Sequence, residues 1–123
     1  MEYTCEIISD YKIIKVKVFG DLIIKESASL GKKMRRLARR MNYSILFDLT
    51  QIKNRITNAE NYAWYANRRD IIDSSFKYIP IAYLINKNYD SVFNTFENYC
   101  SNNGILLRIF EEKEKAIEWL KPL

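Results

Sequence analysis

Ser44 to Glu60 reads SILFDLTQIKNRITNAE, and the order of residue types in this stretch decides the class of fold. Ile45 to Leu49 is a continuous apolar run, too short for a helix and closed by Asp48 and Thr50. It predicts a strand buried on both faces. After a short loop, Thr57-Asn58-Ala59-Glu60 matches a capping box, in which the Thr side chain accepts from an early backbone N–H and the Glu reaches back to the cap. The helix it opens is predicted to run to about Ile72. A buried strand feeding a capped helix is a building unit of a parallel α/β sheet.

Upstream, residues 4–9 and 12–19 read as two strands, because Ile13, Ile14, Val16, Val18 and Phe19 keep close to period two and Ser9-Asp10-Tyr11 suits a tight turn. Gly20-Asp21 ends this hairpin. From Ile24 to Met41 the period becomes helical, with Ile23, Ser27, Leu30, Met34, Leu37, Ala38 and Met41 predicted to share one face. Downstream, Tyr78 to Ile85 is a further apolar strand. Tyr89 to Ser101 is an amphipathic helix through Val92, Phe93, Phe96 and Tyr99, with Gly104 at its C-cap. Ile105 to Phe110 is the last strand and Lys113 to Leu120 a short closing helix. The predicted order is β-β-α-β-α-β-α-β-α: a mixed, mostly parallel sheet of about five strands with four helices, begun by an antiparallel hairpin.

Composition fits one domain over residues 1–123, since 48% of residues are apolar and the 3 Gly and 2 Pro mark no linker. Cys5 and Cys100 fit no metal-ligand spacing, and the sequence holds no His to complete a mixed site. Neither a metal nor a cofactor is expected. No apolar run approaches the ~20 residues that span a bilayer, and Glu2, Glu6 and Asp10 stand where a secretory leader would be basic. A cytoplasmic location with reduced thiols is the expectation.

The element order, with Gly20-Asp21-Leu22 closing the second strand and Phe47-Asp48-Leu49 in the third, resembles the STAS domain found in sulfate transporters and anti-sigma-factor antagonists. The resemblance spans nearly the whole chain. Arg108-Ile109-Phe110 followed by Ala116-Ile117-Glu118-Trp119-Leu120 is similar to the end of an uncharacterised bacterial branch with STAS-like folds. Regulatory members of the family carry a phosphorylatable Ser or Thr at the start of the helix after the third strand, and Thr57 falls on that position. Ile56 stands where the family has Asp, and Asn58-Ala59 where it has Ser-Gly. The resemblance implies a non-enzymatic regulatory or protein-interaction module whose face includes Asp48, Thr50, Thr57, Tyr62, Tyr65 and Arg69.

Taken as residues alone, Thr57 has two readings. A phosphate there would meet free N–H groups and the positive end of the helix dipole, and the same hydroxyl is also a good cap. The first helix concentrates charge: Lys25, Lys32, Lys33, Arg35, Arg36, Arg39 and Arg40 face Glu26 alone, in a chain of net charge +5. At about 100° per residue these cations fall in an arc of roughly 160° opposite the apolar face, a solvated stripe. It would suit an acidic protein or an anionic membrane surface; no nucleic-acid motif accompanies it. The bland reading is a polar outer face whose last cations complement the helix dipole.

Tyr62, Trp64, Tyr65, Phe76 and Tyr78, with Arg68 and Arg69, read first as core and boundary residues and second as an interface or pocket. A pocket lined by Tyr62, Tyr65, Phe93 and Phe96 would mark the alternative function, a carrier of a small apolar ligand or lipid. Catalysis finds no His base, no nucleophile elbow and no Gly-rich phosphate loop. Asp48 sits where α/β proteins often place functional groups, but one carboxylate is no mechanism and it could simply bond the loop backbone. An open sheet edge would also permit a homodimer.

Overall fold

The computed structural model describes residues 1–53, 78–86 and 90–122. Within them the chain forms β1 (Glu2–Ile8), a 3-10 turn at Ser9–Tyr11, β2 (Ile13–Gly20), α1 (Ile24–Met41), β3 (Ser44–Ile52), β4 (Ile81–Leu84), α2 (Asp90–Asn102), β5 (Leu107–Phe110) and α3 (Lys113–Leu120). The helix expected from Thr57 lies outside the described residues. No helix among the described residues is long and apolar enough to cross a membrane.

The five strands lie in one sheet in the order β1-β2-β3-β4-β5, so spatial order repeats chain order. β1 runs antiparallel to β2, and β2, β3, β4 and β5 are mutually parallel. Period two divides the side chains between two cores. Ile14, Val16 and Val18 of β2, Ile45, Phe47 and Leu49 of β3, Ile81 of β4 and Leu107 of β5 meet Leu30, Met34 and Ala38 of α1 and Cys100 of α2. On the opposite face Ile13, Leu46, Ala82 and Leu84 meet Ala116 and Leu120 of α3.

Two helices close in the same way. At the end of α1, Asn42 takes the left-handed conformation (φ 59°), Tyr43 N–H donates to the Ala38 carbonyl at 3.0 Å and Asn42 N–H to Arg39 at 3.4 Å. After α2, Gly104 (φ 72°) does the same: Ile105 N–H reaches the Cys100 carbonyl at 2.9 Å and Gly104 N–H that of Ser101 at 3.1 Å. Both are Schellman closures, which satisfy carbonyls the helix leaves over.

These closures and the prolines explain several boundaries. The last strand starts at Leu107, not Ile105, because the Ile105 N–H belongs to the helix closure. β4 starts at Ile81, after Pro80, which has no N–H to give a ladder. Tyr78, expected in that strand, is 83% exposed. Ile23, expected on the apolar face of α1, precedes the helix and is exposed. β3 does not stop at Leu49 but continues to Ile52 through a bulge: Lys17 pairs with Asp48 and Phe19 with Gln51, so β3 holds one more residue than β2 there. The extra residue resets the alternation, and Ile52 joins the same core as Ile45, Phe47 and Leu49.

Candidate functional site

The bulge explains Asp48. An inserted residue takes backbone groups out of the ladder, and a buried N–H left there needs a partner. Asp48 Oδ1 accepts from the Thr50 N–H at 3.0 Å and from the Thr50 hydroxyl at 2.6 Å. Asn86, just past β4, donates through Nδ2 to the Thr50 carbonyl at 2.9 Å. Both backbone polar groups of Thr50 are thus held by side chains, at the carboxyl ends of β3 and β4. Asp48 is buried and Thr50 half-buried. The other residues expected on this face, Thr57, Tyr62, Tyr65 and Arg69, lie outside the described residues, and the Tyr62, Tyr65, Phe93 and Phe96 side chains expected to line a pocket are likewise not described.

Beside this brace lie Lys15, which period two on β2 could have set on the face opposite Ile14, Val16 and Val18, and Lys113. Burial lowers the Lys15 ammonium below its ordinary value, the neighbouring Lys113 at the start of α3 lowers it further, and Asp48 and Glu6 oppose the shift. Farther along the same face, the Arg108 guanidinium lies 5.6 Å from the Phe110 ring centre and 5.8 Å from that of Trp119.

The basic stripe on α1 is present, with one correction. Lys25, Lys32, Lys33, Arg36, Arg39 and Arg40 are exposed, whereas Arg35 is 5% exposed and does not belong to the surface. The reason is angular. Among the described side chains of the helix, Leu30, Gly31, Met34 and Ala38 are the other buried positions, and Arg35 follows Gly31 by four residues, on the border of that buried sector. Without it the exposed cations span about 120° instead of 160°. Among the described residues no carboxylate pairs with Lys32, Arg36, Arg39 or Arg40.

One flank of the stripe faces β1. Lys33 Nζ donates to the Tyr3 hydroxyl at 3.0 Å, which holds Lys33 above its ordinary pKa, and its charge lies 5.7 Å from the Tyr3 ring centre. The N-terminal ammonium of Met1 is 3.4 Å from Glu26. Two grooves follow this flank, one of about 540 Å3 between Tyr3, Lys25 and Lys33 and one of about 460 Å3 over Met34 and Leu37 between Lys33, Arg36 and Arg40. They adjoin at Ser29 and Lys33, which line both, and together make up a two-part trough along this flank.

Set against family models, curated proteins and solved structures, the chain matches none of them.

Proposed function

We propose that this chain is a STAS-like, non-enzymatic regulatory module that works by binding another protein. The observation that carries the reading is the exposed arc of six cations on α1, none of which has a carboxylate partner among the described residues. Solvated cations without partners keep their long-range field, which draws an acidic surface and orients its approach. The state of Asp48 supports the non-enzymatic part: its buried carboxylate is bonded to Thr50 and holds a bulge. The sequential strand order adds a second support. Ligand crevices in open α/β sheets form where strand order reverses, and this order does not reverse.

Affinity capture from native cell extract tests the reading, with the tagged chain beside a variant carrying Lys32→Glu, Arg36→Glu, Arg39→Glu and Arg40→Glu. A protein retained by the wild type and lost from the variant is the expected result. The same set of proteins on both would overturn it. A phosphate switch at Thr57 is the family-derived refinement. It predicts that Thr57→Glu changes capture of that same protein, and unchanged capture would remove it.

A further inference from the structure

The two edges of the sheet are treated differently. At β5 the Ile109 N–H is taken by the Glu97 carboxylate of α2, so part of the rim is already bonded. At β1 every residue from Glu2 to Ile7 is exposed, and among the described residues no strand lies beyond it. An open strand of this length presents a row of unpaired N–H and C=O groups to any extended chain. Its side chains toward α1 are Tyr3, Cys5 and Ile7, with Tyr3 and Ile7 38% and 42% exposed; Tyr3 lines the first groove of the trough, and its partner Lys33 also lines the second, with Arg36 and Arg40.

We propose that the β1 edge and the cationic flank of α1 form one docking site for an acidic segment of a partner protein, added in extended form as a sixth strand. The proposal rests on the interaction-module reading and names the kind of partner. Main-chain bonds to the rim supply affinity, and alternate side chains of the added strand project toward α1, where carboxylates meet the cations and apolar residues meet Tyr3 and Ile7. A second copy of this chain fits less well. Its β1 would bring Tyr3, Cys5 and Ile7 to this side and turn Glu2 and Glu6 to the other, so it would bring no carboxylate to the trough and would bring another set of cations.

Cys5 supplies the readout, because it is exposed on β1 near Lys33 while Cys100 is buried. The probe is a fluorescein-labelled peptide of alternating Glu and Val, followed by anisotropy at low ionic strength and by the rate at which iodoacetamide alkylates Cys5. The peptide is expected to bind, to slow alkylation of Cys5, and to lose about tenfold or more in affinity to a Lys32→Glu, Arg36→Glu, Arg40→Glu variant that keeps the wild-type circular dichroism. Equal binding of a Gln-for-Glu peptide would overturn the proposal, as would binding that leaves the alkylation rate unchanged. Equal competition by phosphatidylserine vesicles or single-stranded DNA would reduce the face to a general polyanion surface and overturn it too. Alkylation that slows with protein concentration alone would assign the edge to a second copy. A captured partner that leaves Cys5 reacting at its free rate would preserve the interaction module and overturn this location for it.

Discussion

Asp48 illustrates how a residue with the profile of a catalytic group can hold a structural post. Its carboxylate replaces the ladder partner that the bulge takes from Thr50. Asp48→Ala should therefore cost about 1–3 kcal/mol in urea unfolding, the penalty of a half-buried N–H and hydroxyl left without their acceptor. Asp48→Asn, whose amide oxygen still accepts, should lose clearly less; equal losses would refute the brace. Lys15 carries a pH signature. Its folded pKa lies below the ordinary 10.5, so the charged form is penalised in the folded state. The penalty is fully present at neutral pH and is relieved as pH rises through the folded value towards 10.5, so stability should climb over that window. Lys113→Met removes a neighbouring cation, should raise the Lys15 pKa in an NMR titration of its side chain, and should flatten the climb.

Among elements, the closures and the basic helix give the sharpest expectations. Gly104 has no atom within 4 Å of where a Cβ would sit, so Gly104→Ala meets no clash and pays for its left-handed backbone alone, about 1–2 kcal/mol. On α1, Arg36→Glu should stay within about 0.5 kcal/mol of wild type, as surface changes usually do, while Arg35→Glu one position away should destabilise well beyond that in the same measurement. The sequence made the described elements and their parallel arrangement legible because Ile14, Val16, Val18 and Leu30, Met34, Ala38 keep clean periods. Arg35 was misread because charge says nothing of the angle at which a helix meets its sheet. The bulge was hidden because Asp48 and Thr50 look the same in sequence whether they end a strand or carry it on. The amine pair was missed because Lys15 and Lys113 are distant in sequence and come together only once α3 folds back over β3 and β4.

For the molecule as a whole, the sheet keeps two cores apart. Ile14→Val should cost about 0.5–1.5 kcal/mol and Leu120→Ala about 2–5, since each removes buried apolar volume from a different face. Their sum should hold within about 0.5 kcal/mol in the double variant, as expected of sites sharing no partner. A larger departure would mean that β2 and β3 transmit strain between the faces. The strand order has a further consequence for the nascent chain. Since each strand lies next to its predecessor, every segment leaving the ribosome meets a template already synthesised: β2 can pair before β3 exists, and β5 finds β4 waiting. Assembly can proceed in the direction of translation, without holding an early strand open for one made later.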